Sequence, residues 1–459
     1  MNAPRIIIIG GGISGLTMAW WLKKKGYRVT VYEKSESVGG TMKSIVKEGW
    51  LVETGPNSAL ETTPLFKTLF ADLGIENTLM YANSAGNNRY IVRNGKLHSL
   101  PMSPGKFLRT KLWSLKGKLR LLQEPLIGRA GKEETLAEFV ERRLGKEFLD
   151  YAINPFVAGV FAGAPEKLSV QASFPKLYAL EKNYGGLVKG MIMGSRERKK
   201  RGEVAKDRAQ MFSFKKGMQE LPKALERELG DAVVVSADVE SITADRPGNK
   251  FSVRVSRNGE SRIEEADAVV LAVPSESASR FIAPFDASLS DTLRAIYYPP
   301  VVELFLGYRS SDVRIALDGF GFLIPEKEKR KILGAIWTST LFEGRAPEGC
   351  SAFTVFVGGS RQPEMTLHSD AELLDIVQGE LASLMNITGV PLFTHIVRWN
   401  KAIPQYHLGH LAIVGRIEQF EKSQPGFFIS GNFRGGISVS DCVIQSEKTA
   451  NKISEICPM

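Results

Sequence analysis

The chain opens with a strand, a helix and a second strand. Residues 6–9 are four consecutive isoleucines, and a continuous β-branched run indicates a strand that is covered on both faces of a parallel sheet. Residues 13–25 follow as a helix that ends at Gly26. Residues 27–34 then alternate apolar and polar side chains, as a strand does. The pattern predicts a βαβ unit of about 30 residues.

The rest of the chain mixes helical and extended patterns. Residues 134–192 look largely helical, the strongly charged residues 194–208 are expected to form a mobile surface loop, and 290–410 mix strands and helices. The remaining elements are a helix at 220–230, three strands at 231–245, 251–256 and 265–274, and a C-terminal strand, glycine-rich turn and helix at 427–453.

Glycines occupy the turn between the first strand and the first helix. Gly10, Gly12 and Gly15 have the spacing that permits a tight turn, close approach of a pyrophosphate and close helix–strand packing. Glu33 ends the second strand, where a carboxylate binds ribose hydroxyls. An acid there favours FAD or NAD over NADP. The alternative is a glycine-rich turn with an acid placed by chance.

Further glycines favour FAD over NAD. Gly39 and Gly40 follow the second strand, residues 53–58 read ETGPNS, and 429–439 read ISGNFRGGISV. An extended two-nucleotide flavin needs several such backbone contacts along its length. Backbone N–H groups at the start of the last helix can stabilise charge that develops on a flavin carbonyl. The alternative for that segment is an ordinary helix-end turn.

Composition narrows the class of protein. The chain has 459 residues, 43% hydrophobic and 24% charged, which indicates a globular protein of more than one domain. Three distant cysteines form no CxxC pair and five histidines show no ligand spacing, so we expect neither disulfides nor a metal. Neither a signal peptide nor a spanning segment is seen, so we expect a cytoplasmic protein.

Residues 93–132 are basic and apolar at once, with Glu124 as the only acid of 104–129. Such a segment suits an anionic membrane surface, which would make the protein peripheral on the cytoplasmic face. The alternative, weighed equally, is an amphipathic helix that packs on its own domain. The net charge of +10 is compatible with both, and no nucleic-acid-binding module is found.

The chain resembles the oxygen-dependent protoporphyrinogen oxidases, a flavoprotein family of the amine-oxidase and phytoene-desaturase superfamily. The resemblance covers nearly the whole chain. The stretches that carry it are GGGISGL (10–16), ESVGG (36–40), ETGPNS (53–58), NNRYIVRNGKLHSLP (87–101), FVAGVFAG (156–163), LSVQASFP (168–175), GFGFLIP (319–325), IPQYHLGH (403–410) and SVSDC (438–442). The first two are shared across the superfamily, whereas AGVFAG, GFGFLIP and IPQYHLGH are more specific.

The resemblance implies an α/β and α+β fold in three parts. A discontinuous Rossmann-like FAD domain takes 1–88, 209–290 and 411–459, a helical and membrane-facing domain takes 89–208, and a mixed-sheet substrate domain takes 291–410. The implied reaction is oxidation of protoporphyrinogen IX to protoporphyrin IX in haem biosynthesis, with O2 as acceptor and H2O2 as product. Coproporphyrinogen III is the alternative substrate. A homodimer and hand-over of the product to a ferrochelatase are further expectations.

The resemblance also implies site residues. FAD is expected to bind non-covalently, since no SGGC motif occurs near the C-terminus. Its expected contacts are Gly10, Gly11, Gly12, Ile13, Ser14, Gly15, Glu33, Lys34, Gly40, Thr41, Gly55, Pro56, Asn57, Ser58, Val239, Trp399, Gly431, Asn432, Gly436, Ile437, Ser438 and Val439. Relatives often carry a larger or basic residue at position 41, and some carry arginine at 57.

The expected substrate contacts combine one arginine, one glycine and an apolar set. Arg89 matches an arginine that pairs a propionate, and Gly159 matches a position where a side chain would meet the macrocycle. The apolar set, which taken singly could be plain core, is Phe320, Leu323, Ile336 and Phe356. No catalytic side chain is expected, because flavin N5 carries the chemistry.

Two other functions stay open from the sequence. One is a flavin amine oxidase or desaturase, which would need an aromatic cage and usually a lysine near the flavin. The other is a non-catalytic protein of the GDP-dissociation-inhibitor type on the same fold, which can lose its dinucleotide site. The intact glycines and Glu33 disfavour the second of these.

Overall fold

The computed structural model describes residues 3–201, 209–244 and 250–459. Its strands are β1 (Arg5–Ile9), β2 (Arg28–Tyr32), β3 (Ser44–Lys47), β4 (Trp50–Glu53), β5 (Ala59–Leu60), β6 (Leu79–Tyr81), β7 (Tyr90–Arg93), β8 (Lys96–Ser99), β9 (Met211–Phe214), β10 (Val233–Val234), β11 (Ala237–Ala244), β12 (Phe251–Arg257), β13 (Glu260–Ala266), β14 (Ala268–Leu271), β15 (Val301–Arg309), β16 (Gly321–Leu323), β17 (Gly334–Ile336), β18 (Cys350–Gly358), β19 (Phe393–Trp399) and β20 (Phe427–Ile429).

The α-helices lie between these strands and in one helical segment. They are α1 (Ile13–Lys24), α2 (Leu65–Asp72), α3 (Pro104–Arg109), α4 (Leu115–Arg120), α5 (Leu136–Leu144), α6 (Lys146–Phe148), α7 (Asn154–Phe161), α8 (Val170–Ser173), α9 (Pro175–Tyr184), α10 (Leu187–Arg201), α11 (Glu220–Leu229), α12 (Ser275–Ile282), α13 (Ala287–Arg294), α14 (Thr338–Leu341), α15 (Asp370–Met385), α16 (His410–Ser423) and α17 (Val439–Ile456).

A five-stranded parallel sheet, in the order β10, β2, β1, β14 and β20, holds the start of the chain. Ile6 on β1 pairs in register with Val29 on β2 and with Ala268 on β14. The isoleucines of β1 are buried because α1, α11 and α17 contribute to the apolar core on one face and α12, α13 and α16 to that on the other. The βαβ prediction is confirmed.

A seven-stranded sheet, in the order β19, β15, β18, β17, β16, β7 and β8, forms a second layer. Its pairs are antiparallel except for β16 with β7. One face packs on α15 and carries Leu304, Phe322 and Val355. Residues that pair directly share a face, so the opposite face has a row of Glu303, Phe356, Gly334 and Leu323.

The helical segment α3–α10 has a buried charged centre. Arg143 and Glu124 are both fully buried, and their side chains are 3.0 Å apart. Glu124 also accepts a hydrogen bond of 2.7 Å from the Leu187 backbone N–H. A buried pair held in this way costs desolvation, and it fixes one arrangement of the surrounding helices.

The expected loop at 194–208 was wrong over its first half, since α10 continues to Arg201. Residues 195–201 are SRERKKR, and arginine, lysine and glutamate have high helix propensity even where they give no apolar pattern. Residues 202–208 lie outside the described residues.

Two boundaries also differ from the sequence prediction. The strand expected at 231–245 is divided into β10 and β11, with Ser236 at φ 51° between them. The helical domain was expected to start at residue 89, yet β7 and β8 pair within the seven-stranded sheet. The rest of the domain division stays a prediction.

Candidate functional site

The glycine turn after β1 leaves room beside its backbone. Gly10 has φ 109°, and a Cβ on Gly15 would overlap the Gly10 carbonyl oxygen. A Cβ on Gly12 would meet nothing within 4 Å. Gly12 is also the N-cap of α1, and no side chain caps that helix. The first turn, with Ile13 and Ser14, therefore presents its N–H groups and positive dipole end to an anion.

Glu33 lies beside this turn. Its carboxylate accepts hydrogen bonds from the backbone N–H of Gly11 at 2.7 Å and of Ser35 at 2.8 Å. Each oxygen keeps lone-pair capacity for a ribose hydroxyl. Lys34 instead turns to Asp238, at 2.9 Å. Val239 is buried on β11, which starts with the Ala237 N–H donating to the Glu33 carbonyl.

A second chain segment closes on the glycine turn. The Gly39 N–H donates to the Gly11 carbonyl at 2.8 Å, and a Cβ on Gly40 would lie 3.4 Å from Gly12 Cα. A Cβ on Gly55 would overlap the Thr41 carbonyl oxygen. The predicted contacts from both segments are thus brought together, and they form a narrow track in which Gly15 and Gly55 have no space for a side chain.

The track continues into residues 55–58, which we call the GPNS loop. All four, including Pro56 and Ser58, are half-buried. Trp399, at the end of β19, donates from Nε1 to the Thr54 carbonyl at 2.9 Å, which ties the loop to the seven-stranded sheet.

Residues 430–438, which we call the C-terminal loop, approach from the other side. Gly431 and Gly436 have φ values of 142° and 128°. Ser438 caps α17: its side chain accepts from the Asp441 N–H at 3.1 Å, and its carbonyl accepts from the Cys442 N–H at 2.9 Å. The adjoining Ile437 and Val439 are half-buried and buried, respectively.

Tyr406 fixes the C-terminal loop, and the sequence did not single it out. Its hydroxyl donates to the Asn432 carbonyl at 2.6 Å and accepts from the Gly436 N–H at 3.0 Å. The His410 ring stacks on it, with centroids 4.0 Å apart. Its place in IPQYHLGH is the one signal that could have identified it.

The free face of the seven-stranded sheet, which we call the cleft face, carries the predicted apolar contacts. Leu323, Ile336 and Phe356 are half-buried, whereas the alternate residues of their strands are buried in the core. Gly321 pairs with Ile336 and Gly334 pairs with Leu323, and because these glycines have no side chain the cleft face is flat at both positions. Opposite lies Gly159 on α7, where a Cβ would overlap Leu323 Cδ2. Leu323 therefore packs directly against the α7 backbone at Gly159, and we call the apolar region that α7 and the cleft face border the slot.

Arg89 lies at the edge of the slot. It is exposed, and its guanidinium carbon is 5.8 Å from the centroid of the half-buried Phe320 ring. An arginine there can pair with a carboxylate at the mouth while the ring system enters the slot.

Polar side chains join the cleft face to the GPNS loop. Asn57 donates from Nδ2 to Glu303 Oε1 at 3.3 Å and accepts from Thr354 Oγ1, also at 3.3 Å. Glu303 is 4% exposed. Burial raises the pKa of Glu303 well above its ordinary value, opposed by the hydrogen bond from Asn57. Glu303 was not predicted from the sequence; the available signal is a lone acid within the apolar run VVELFLGY.

Comparison with known proteins agrees with this geometry. The family model described as "Flavin containing amine oxidoreductase" matches residues 13–454. Protoporphyrinogen oxidase 2 of Arabidopsis thaliana is 33% identical, covering 99% of this chain and 94% of its own. Coproporphyrinogen III oxidase of Bacillus subtilis is 29% identical, covering 96% of each.

Solved structures show the same fold. A protein from Exiguobacterium sp., provisionally named a protoporphyrinogen oxidase, superposes with a TM-score of 0.82 at 22% identity and covers 99% of each chain. A reduced UDP-galactopyranose mutase gives 0.74 at 16% identity, with 100% of this chain and 97% of its own covered. The chain belongs to the family of flavin-containing amine oxidoreductases and is a flavin-dependent oxidoreductase.

Proposed function

We propose that the protein oxidises protoporphyrinogen IX to protoporphyrin IX with FAD, passing the electrons to O2 and releasing H2O2, in haem biosynthesis. The observation that carries the proposal is the flat, half-exposed apolar face of Leu323, Ile336 and Phe356, which adjoins the GPNS loop. A large apolar macrocycle that becomes planar on oxidation fits such a slot better than a small amine does. The names of the relatives support the same substrate class.

The residues present fit FAD. Gly12 and the first turn of α1 would hold the pyrophosphate, Glu33 the ribose, and the GPNS and C-terminal loops the flavin ring. When bound, the flavin supplies the hydride acceptor. Non-covalent binding is supported by Cys442, because burial raises the pKa of its thiol to about 11 and keeps it in the unreactive neutral form.

The chain's own residues then bind, orient and exclude water. Arg89 would pair with a propionate and set how deep the ring enters. Phe356 and Leu323 would hold the ring flat, and at Gly159 the absence of a side chain lets Leu323 lie against α7. The dry slot keeps the reacting carbon away from solvent.

Coproporphyrinogen III is the second candidate substrate, because the Bacillus subtilis relative bears that name. It has four propionates where protoporphyrinogen IX has two. Arg89 would pair with one propionate, and the substrate with fewer propionates leaves fewer carboxylates for other groups to pair, so we rank protoporphyrinogen first.

The test is turnover by the purified, flavin-loaded protein on both porphyrinogens and on a primary amine. Porphyrin fluorescence and H2O2 are measured together. We expect both signals with porphyrinogen and neither with the amine. A protein that binds flavin and oxidises only the amine would overturn the proposal.

We also propose contact with an anionic membrane from the cytoplasmic side. In residues 93–132, which we call the basic segment, Leu112 and Trp113 are buried. Other leucines of this segment are exposed by 54–85%, namely Leu108, Leu115, Leu119, Leu122 and Leu126. Exposed leucines among lysines and arginines suit a lipid headgroup layer. No helix among the described residues has the length and apolarity needed to cross a bilayer.

A further inference from the structure

Glu303 is the buried group that the proposed function leaves unused. It lies in the middle of β15, directly opposite Phe356 on the cleft face. The described residues place no basic side chain within ion-pair distance of it. Within the part of the chain that the structure describes, the hydrogen bond from Asn57 engages one of its carboxyl oxygens. The other carboxyl oxygen of Glu303 lies in an apolar wall and can still form hydrogen bonds that the fold does not use.

Its surroundings contain few other charges. Glu53, from β4, is the charged group that acts on Glu303, and it raises the pKa further. Arg345 lies 3.7 Å from Glu53 and is thereby partly neutralised. On β19, His395 pairs with Phe305, two positions along from Glu303, and its own pKa is lowered by burial. None of these groups supplies Glu303 with a counter-ion.

We propose that Glu303 is a catalytic proton acceptor, which takes a pyrrole N–H proton as the adjoining meso carbon is oxidised. The inference rests on the proposed function. It assigns a side-chain role to a site where the sequence predicts that the flavin alone carries the chemistry.

The proposed reaction breaks one C–H bond and one N–H bond of the substrate. A meso C–H bond would break and its hydrogen would leave with the electron pair as hydride, which a bound oxidised flavin would accept. The positive charge left behind is conjugated with the neighbouring pyrrole nitrogen, so its N–H becomes acidic. That N–H bond breaks, its electron pair stays to form a neutral C=N unit, and the proton moves to a carboxylate oxygen of Glu303.

The local environment suits this role. A carboxylate in an apolar wall is a stronger base than one in water, and it lies beside the loop that would hold the flavin. Asn57 holds one oxygen in place and is itself held by Thr354, whose hydroxyl is 3.0 Å from that of Thr338. The carboxyl group is therefore oriented before substrate binds.

The test is anaerobic single turnover of the flavin-loaded protein with protoporphyrinogen IX, followed as flavin bleaching from about pH 5 to about pH 9. In wild type the rate should rise as Glu303 loses its proton. Glu303→Gln keeps the oxygen that Asn57 binds, so we expect unchanged flavin content, a rate about 100-fold lower and no rise with pH. Glu240→Gln, at an exposed position on β11, is the matched control.

A Glu303→Gln protein that bleaches at the wild-type rate with the same pH rise would overturn the inference. If that variant does not fold, Glu303→Asp takes its place, and the solvent deuterium effect on the wild-type rate is measured. Wild-type bleaching with neither a pH rise nor a solvent deuterium effect also overturns the inference. Failure of the proposed function looks different, since wild-type flavin would then not bleach at any pH.

Discussion

At the scale of single residues, the site depends both on glycines, which have no side chain, and on a residue with a charged side chain. Gly15 and Gly55 have no space for a side chain, and Gly159 faces Leu323 across the slot. By contrast, Arg89 contributes through its charge from an exposed position. The two kinds of residue should therefore respond differently to substitution.

Replacing Gly159 by valine should fill the slot. The new side chain overlaps Leu323 Cδ2, so the α7–sheet distance or the Leu323 rotamer must change. We expect porphyrinogen turnover to fall at least about tenfold with flavin content unchanged, because the flavin loops lie elsewhere. Absorbance and steady-state assays measure both. An active Gly159→Val protein would mean that the substrate does not occupy this slot.

Replacing Arg89 by alanine should weaken substrate binding. Loss of a charged hydrogen bond predicts a KM about tenfold higher with little change in flavin content. Arg314→Ala, at another exposed arginine, is the control. Equal KM values for the two variants would remove Arg89 from the site.

At the scale of elements, the sequence predicts the helices and strands that have a clear apolar periodicity. The isoleucines of β1, the glycine turn and α1 follow directly, since each needs only local pattern. The helix at 195–201 was missed because its charges give no apolar stripe. Tyr406 and Glu303 were missed because their roles depend on partners far along the chain, such as Gly436 and Asn57.

Removing the Tyr406 hydroxyl tests the C-terminal loop. Tyr406→Phe loses the bonds to Asn432 and Gly436 but keeps the stack on His410. We expect a loss of about 1 kcal/mol in flavin binding, hence a Kd about fivefold higher, measured by flavin titration of the apoprotein. Unchanged affinity would show that the loop is held by other contacts.

The basic segment can be tested with two leucines of equal exposure. Leu126 and Leu367 are each 85% exposed, but only Leu126 lies in the basic segment. Leu126→Glu should reduce sedimentation with anionic phosphatidylglycerol vesicles several-fold, while Leu367→Glu should not. Equal binding by both variants and wild type would contradict the membrane proposal.

At the scale of the whole molecule, the chain around the GPNS loop, which follows β4, is joined to the seven-stranded sheet by the hydrogen bonds of Asn57 and Trp399. Burying Glu303 at this junction has a cost that depends on pH. Its pKa is raised in the folded protein by burial, so the folded state keeps the Glu303 proton to a higher pH than the unfolded state does. Stability therefore falls as pH rises toward the folded-state pKa.

Glu303→Gln removes this proton linkage. We expect its Tm to exceed that of wild type at neutral pH, with a difference that widens as pH rises from about 5 and disappears below the ordinary carboxyl pKa. Thermal unfolding at several pH values measures it, with Glu240→Gln as the exposed control. A difference that is constant with pH would mean that Glu303 is ionised in the folded protein.

The central claim is that a porphyrinogen in the slot reduces the bound flavin. Anaerobic mixing of the flavin-loaded protein with protoporphyrinogen IX tests it most directly, because no oxygen chemistry intervenes. The predicted result is bleaching of the flavin absorbance together with loss of porphyrinogen. A flavin that stays oxidised with protoporphyrinogen IX and coproporphyrinogen III alike, while dithionite bleaches it, would contradict the account.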